Sequence, residues 1–153
     1  MLNDVTARRP AVAVTLRDCV CAGVPEFVKL SSKLTFGEDH PVMKENRVAA
    51  VQTVSGTGAL RTAAEFITAW RGDGVEMHVP NPTWGNHPPV FDKARMNVKR
   101  YEYYDAENIS LDFSGMCDSL MAIPDGSAVL FQACAMNPTG WLCRLLACLE
   151  FLP

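Results

Sequence analysis

The sequence alternates between short apolar segments and segments with helical periodicity. Strands are predicted at residues 48–53, 75–79, 98–104 and 127–134, and helices at 25–36, 55–70, 88–96 and 112–120. The last apolar run is unbroken, which predicts a strand buried on both faces. This order predicts an α/β fold, a parallel sheet with flanking helices on both faces. Ligands of such sheets bind outside the carboxyl ends of the strands, so three turns form the candidate site: 55–58, 81–87 and 136–140.

The first of these turns is rich in small residues and opens directly into a helix. Gly56 would let the backbone approach an anion, while Ser55 and Thr57 add hydroxyl donors at the positive end of the helix dipole. The pattern matches neither GxxxxGK[ST] nor GxGxxG, so a plain tight turn remains the alternative. The helix has one predicted apolar stripe and an i,i+4 ion pair between Arg61 and Glu65. The stripe comprises Leu60, Ala63, Ala64, Ile67 and Trp70.

The other two turns offer an aromatic ring, an imidazole and a side-chain amide. Trp84 could stack on a planar ligand, or it could cap the core as a half-buried ring. His87 could serve the same site, or it could be a hydrogen-bonded core histidine. Asn137 could bind a ligand through its amide, or it could belong to a proline-containing β-turn. A phosphate-binding turn, an aromatic ring and a side-chain amide at one edge of the sheet would suit a planar phosphorylated cofactor such as pyridoxal phosphate.

Composition and charge exclude several other classes of protein. The net charge of −3 does not indicate a nucleic-acid-binding surface. The sequence has no run of 18 apolar residues, so no membrane-spanning helix is predicted. The six cysteines form no CxxC pair and the three histidines show no ligand spacing, so no metal site is expected. The cysteines indicate reduced intracellular thiols. The first 20 residues resemble neither a secretory signal nor a good transit peptide.

Five blocks in order resemble the aspartate aminotransferases of the class I pyridoxal-phosphate-dependent aminotransferase family. They are GVPEF at 23–27, VQTVSGTGALR at 51–61, PTWGNH at 82–87, YEYYD at 101–105, and ACA at 133–135 with NPTG at 137–140. The resemblance covers residues 22–140 and implies part of a fold-type-I large domain. Residues 1–21 and the apolar, cysteine-rich tail 141–153 are unmatched. In the family, strand 48–53 pairs with strands from outside this sequence, so a three-stranded parallel core is expected here.

The resemblance implies a cofactor, a reaction and a role for each candidate residue. Pyridoxal phosphate would be held at its phosphate by Ser55, Gly56 and Thr57. Trp84 would stack on the ring and border the substrate carboxylate, and Asn137 would contact the ring hydroxyl and the substrate. His87 would orient the acid that pairs with the ring nitrogen. The implied reaction moves an amino group between aspartate and 2-oxoglutarate, in a homodimer that is cytoplasmic or, alternatively, mitochondrial.

The sequence also departs from the family pattern. The family's Schiff-base lysine lies downstream of NPTG, and none of the five lysines matches it; they are Lys29, Lys33, Lys44, Lys93 and Lys99. Asp18 stands in place of a tyrosine, and Gln132 and Met136 stand where family members often carry histidine. We therefore expect cofactor contacts without catalysis by this chain alone. The alternatives are a non-catalytic module that pairs with full-length aminotransferase subunits, and an unstable, mis-framed gene product.

Overall fold

The computed structural model describes residues 21–132 and 135–141. The chain divides after Val54 into two compact units. The unmatched segment 1–21 therefore lies, except for Cys21, outside the described residues, as does the tail from residue 142 onward.

The first unit contains two helices, α1 (Pro25–Phe36) and α2 (Pro41–Lys44). Helix α1 begins as predicted, because the fixed backbone angle of Pro25 suits a first helical position. It ends at Gly37, which has a φ of 87° and donates its N–H to the Lys33 carbonyl at 2.9 Å. Such a positive φ is cheap only for glycine, so the predicted stop is confirmed.

The strand predicted at 48–53 is absent, and this prediction is wrong. The segment is held to the preceding chain by two bonds: Gln52 N–H donates to the Ala22 carbonyl at 2.8 Å, and Gln52 Oε1 accepts from Val24 N–H at 2.9 Å. No described strand forms a ladder with it. Apolar alternation alone cannot make a strand, because its backbone groups need a partner.

The second unit runs from Ser55 and contains the sheet. Its elements in order are α3 (Ser55–Arg71), β1 (Glu76–Asn81), α4 (His87–Asp92), β2 (Asn97–Glu102), β3 (Tyr104–Asp105), β4 (Ser110–Leu111), α5 (Phe113–Met121) and β5 (Ala128–Val129). The main sheet has the order β2-β1-β5, and both of its pairs are parallel. Strands β3 and β4 form a small antiparallel pair. The predicted three-stranded parallel core is thus confirmed.

Strand β1 lies in the middle of the sheet and is its most buried strand. It was predicted to stop before Pro80, yet it continues through Pro80 to Asn81. Leu130 N–H donates to the His78 carbonyl at 2.8 Å. In a parallel pair, the residue two positions further along β1, residue 80, would normally donate its N–H to the Leu130 carbonyl. Proline has no N–H, and the Leu130 carbonyl instead accepts from the Tyr101 hydroxyl at 3.0 Å. A side chain thereby satisfies the acceptor that proline cannot.

A hydrophobic cluster lies on each face of the sheet. Successive strand residues point to opposite faces, so Met77 and Val79 pack on one side and Tyr101 on the other. The first cluster joins β1 to α3 and α4 through Ala64, Met77, Val79, Phe91, Ala94 and Met96. The second joins the sheet to α5 through Tyr101, Tyr103, Met116, Leu120 and Met136. Helices therefore cover both faces, as the α/β alternation predicts.

Two predicted features differ in detail, and a third is confirmed. The last strand is an edge of the described sheet, so Ala128 and Val129 are half-buried rather than buried on both faces; residues 133–134 lie outside the described part. Helix α4 ends early because Arg95 takes a φ of 64° and Met96 N–H reaches back to the Phe91 carbonyl at 3.2 Å. On α3 the ion pair of Arg61 and Glu65 is confirmed.

The apolar stripe of α3 is rotated from its predicted position. Ala64 is fully buried, Leu60 and Ile67 pack on the same cluster, and Thr68 is buried beside them. Trp70 is 75% exposed and contacts Phe66, with ring centroids 6.0 Å apart. The prediction that Trp70 belongs to the buried stripe is wrong, because the buried side of α3 is centred on Ala64 and Thr68.

Among the described residues, no helix is long and apolar enough to cross a bilayer. Nor do those residues bring together three or more His, Cys, Asp or Glu side chains placed to hold a metal ion.

Helix α5 begins at the predicted N-cap, and this generates a test of the fold. Asp112 Oδ1 accepts from Gly115 N–H at 2.8 Å, and Leu111 before it packs on the cluster that contains Met116. We expect Asp112→Ala to lower the free energy of unfolding by about 1 kcal/mol, measured by urea titration, because it removes one cap.

Asp118→Ala is the matched control for this cap. Asp118 lies on the same helix and is exposed. Its replacement should change the free energy of unfolding by less than about 0.5 kcal/mol. Equal losses in the two variants would contradict the assigned cap.

Candidate functional site

An open cleft of 620 Å³ lies in the second unit, at the carboxyl ends of the parallel strands. All three predicted turns contribute to it, so the predicted convergence at this edge is confirmed. The six candidate residues all line the cleft, together with residues that were not predicted. The lining comprises Ser55, Gly56, Thr57, Ala59, Leu60, Ala63, Trp84, His87, Gln132 and Asn137.

The first wall of the cleft is the amino end of α3. Ser55 has a φ of 59°, an uncommon conformation for a residue with a side chain, at the point where the chain enters the helix. A Cβ built on Gly56 meets nothing within 4 Å, so no protein atom requires glycine there. The space is left open beside the first N–H groups of a 17-residue helix, whose dipole favours an anion.

The second wall is the turn after β1. The Trp84 and His87 rings meet edge to face, with centroids 5.3 Å apart and planes at 82°. Thr83 Oγ1 lies 2.7 Å from His87 Nδ1, and His87 N–H donates to the Trp84 carbonyl at 2.9 Å. The bond with Thr83 fixes the imidazole, and the backbone bond fixes the turn that carries it. The imidazole supports the indole where that ring borders the cleft.

His87 combines burial with a hydrogen bond to a neutral partner. It is only 5% exposed, and burial lowers its pKa below the usual 6.5 because a charged imidazole loses its hydration there. At neutral pH the ring is therefore uncharged. An uncharged ring has one nitrogen that donates and one that accepts, so it can link Thr83 to a further polar group.

The third wall is the turn that carries Asn137. Gly140 N–H donates to the Met136 carbonyl at 2.5 Å, and Met136 N–H donates to the Trp141 carbonyl at 2.8 Å. Thr139 Oγ1 lies 3.0 Å from the Tyr103 hydroxyl, and burial raises the pKa of Tyr103, which stays protonated at neutral pH. The Asn137 side chain remains exposed in the cleft.

Four lining residues were missed by the sequence reasoning: Ala59, Leu60, Ala63 and Gln132. Ala59 and Ala63 are one helical turn apart on α3, so their i,i+4 spacing could have identified the side of the helix that faces the cleft. Gln132 was noted only as a departure from the family. Its Oε1 accepts from Asn137 N–H at 2.8 Å, a contact that no periodicity could have indicated.

The comparisons with known proteins agree with this arrangement. The sequence model of the family "Aminotransferase class I and II" matches residues 20–148. This chain belongs to the class I and II aminotransferase family. The matched range contains every residue that lines the cleft.

The relatives include cytoplasmic and mitochondrial aspartate aminotransferases. The chain is 52% identical over 118 residues to the cytoplasmic isozyme 2 of Arabidopsis thaliana, covering 77% of this chain and 29% of that protein. It is 42% identical over 118 residues to the mitochondrial enzyme of Xenopus tropicalis, covering 77% of this chain and 28% of that one. The chain thus spans less than a third of the length of these relatives.

Solved structures share the fold. The cytoplasmic aspartate aminotransferase of Saccharomyces cerevisiae matches with a TM-score of 0.75 at 32% identity, over 78% of this chain and 29% of that one. An aromatic-amino-acid aminotransferase from Burkholderia pseudomallei, covalently bound to pyridoxal phosphate, matches with a TM-score of 0.75 at 32% identity, over 78% and 30% of the two chains. The described sheet and helices are therefore part of a fold-type-I aminotransferase.

The lowered pKa of His87 predicts the direction of a pH effect. An unfolded histidine titrates near 6.5, so below that pH the unfolded chain binds more protons than the folded one. We expect the free energy of unfolding to fall as the pH is lowered through 6.5 toward the folded pKa, and to fall less in His87→Gln. Urea titrations between pH 7.5 and 5.5 measure this difference.

NMR titration of the imidazole gives an independent readout. His40→Gln identifies the resonance of an exposed histidine in the first unit and leaves the His87 titration unchanged. A His87 resonance that titrates at 6.5 or above would contradict the effect of burial.

Proposed function

We propose that the cleft binds pyridoxal 5'-phosphate, and that the whole protein transfers an amino group between L-aspartate and 2-oxoglutarate. The observation that carries the proposal is the convergence of an anion-attracting helix end, an indole and an exposed amide on one 620 Å³ cleft. The family membership and the aspartate aminotransferase relatives support the cofactor and the substrates.

The residues present fit this cofactor. Ser55, Gly56 and Thr57 would hold the phosphate at the amino end of α3, where the space beside Gly56 is open. Trp84 would stack on the ring, and Asn137 would contact the ring hydroxyl. When bound, the cofactor supplies an electron sink for the carbon next to the amino group.

The substrate would be placed by the same residues. Trp84 would border the substrate carboxylate, and Asn137 would donate a hydrogen bond to the substrate. His87, uncharged and fixed by Thr83, would orient the acid that the family pairs with the ring nitrogen. The apolar side chains of Leu60 and Ala63 line the same cleft.

None of the five lysines is among the residues that line the cleft in the described part of the chain. The catalytic amine of the family is therefore not supplied at this cleft by the described residues. We propose that this chain by itself binds the cofactor without a covalent bond and does not turn over. Amino transfer that is catalysed by this chain alone and abolished by Gly56→Asp would overturn this part of the proposal.

A second function is favoured by the first unit. Helix α1 exposes a row of apolar side chains; Phe27, Leu30 and Leu34 are 53%, 57% and 89% exposed. Contiguous exposed apolar residues are typical of association surfaces. We propose that α1 pairs with another aminotransferase subunit, either a second copy of this chain or a full-length subunit. Co-purification with an intact aspartate aminotransferase would test this pairing. The compartment is proposed to be the cytoplasm, with the mitochondrion as the alternative.

Cofactor binding can be measured through Trp84 itself. The sequence has three tryptophans, so Trp70→Phe with Trp141→Phe leaves Trp84 as the single fluorophore. We expect pyridoxal phosphate to quench its fluorescence to saturation, because the ring would stack on the indole. Inorganic phosphate should compete, since both would use the amino end of α3.

The decisive variant places a negative charge in the phosphate site proposed at Ser55, Gly56 and Thr57. Gly56→Asp puts a carboxylate where the phosphate would lie, and we expect affinity to fall by at least about tenfold. An aspartate in the first turn of a helix is favourable, so the fold should survive. Thr62→Asp adds the same charge at an exposed position of α3 outside the cleft lining and should leave affinity unchanged. Unchanged affinity in Gly56→Asp would refute the phosphate site.

A further inference from the structure

Gln132 lies in the wall of the cleft, on the segment that continues from β5. Its side chain reaches across five residues, where Oε1 accepts from Asn137 N–H at 2.8 Å. The orientation of this amide is settled by chemistry, because the backbone N–H is a donor and only the oxygen of the amide can accept. Gln132 thus links the end of the strand to the residue proposed to contact the ligand.

The other bonds of the turn act on its other residues. Met136 is bonded through its backbone to Gly140 and Trp141, and Thr139 is bonded to Tyr103. The Asn137 backbone is held by the hydrogen bond that its N–H donates to Gln132 Oε1. Because the side chain of Asn137 is exposed, its direction depends on how firmly that backbone is held.

We propose that Gln132 is a positioning residue for Asn137: it fixes the Asn137 backbone so that the exposed amide is already aimed into the cleft when the ligand arrives. The inference rests on the proposed function, since it deepens the role of Asn137 in binding pyridoxal phosphate. Pre-ordering of a binding group raises affinity by removing the entropy that binding would otherwise cost.

A double-mutant cycle on cofactor affinity tests this coupling. Gln132→Met keeps the length of the side chain and replaces the amide oxygen by a thioether, a much weaker acceptor. We expect it to weaken pyridoxal phosphate binding about three- to tenfold, as for loss of one net hydrogen bond. In an Asn137→Ala background the same change should cost less than about twofold, because the group that it positions is gone. An equal cost in both backgrounds would overturn the inference.

Gln52→Met is the matched control. Gln52 is the sequence's other glutamine, and its Oε1 also accepts a backbone N–H, that of Val24, at 2.9 Å. It is not among the residues that line the cleft, so its replacement should leave affinity unchanged. Inorganic phosphate should bind equally to wild type and Gln132→Met, because it would contact α3 alone; a parallel loss would mean that the whole cleft is distorted and would overturn the inference.

Two further readouts separate this inference from the proposed function. Without ligand, amide exchange at Asn137 should be faster in Gln132→Met than in wild type, and unchanged exchange would overturn the positioning role. If wild type binds pyridoxal phosphate and Gln132→Met binds it equally well, only the positioning role fails. If wild type does not bind the cofactor at all, the proposed function fails and this inference fails with it.

Discussion

The structure of the second unit depends on β1 being hydrogen-bonded on both sides. Parallel pairing with β2 and β5 brings the carboxyl ends of the strands to one edge, and the turns that follow them line the cleft. This pairing survives a proline in the central strand, because the Tyr101 hydroxyl satisfies the Leu130 carbonyl. Tyr101 also anchors the cluster under α5, so the same side chain serves both the ladder and the core. The strand pairing that stabilises the sheet therefore also fixes where the turns of the cleft lie.

The wall of the cleft at the amino end of α3 has room for an anion. Ser55 adopts a positive φ, and Gly56 leaves space unfilled beside helical N–H groups. An unfilled cradle gains nothing from packing, whereas an anion would be stabilised there by the helix dipole. Around it, His87 is hydrogen-bonded to Thr83, Tyr103 to Thr139, and Gln132 to the backbone of Asn137. The cleft thus joins exposed groups to a wall of fixed hydrogen bonds.

The two units differ in how well they bury their apolar residues. The second unit places Met77, Val79 and Tyr101 in two clusters, one on each side of the sheet. The first unit leaves the apolar side of α1 largely exposed, and its segment 48–53 forms no ladder with any described strand. Exposed apolar groups are stabilised by burial against another surface, which is the physical basis of the association proposed for α1.

The sequence by itself determined the α/β class, the order of the main helices and strands from α3 onward, the caps at Gly37 and Asp112, and the positions of the six candidate residues, because these depend on local periodicity and turn chemistry. Its motifs also indicated the family. Tertiary structure decided what needs a partner: whether 48–53 forms a ladder, how far β1 extends past Pro80, and which side of α3 is buried. It also decided that Gln132 reaches Asn137. Such features depend on contacts between residues that periodicity does not relate, so no local pattern encodes them.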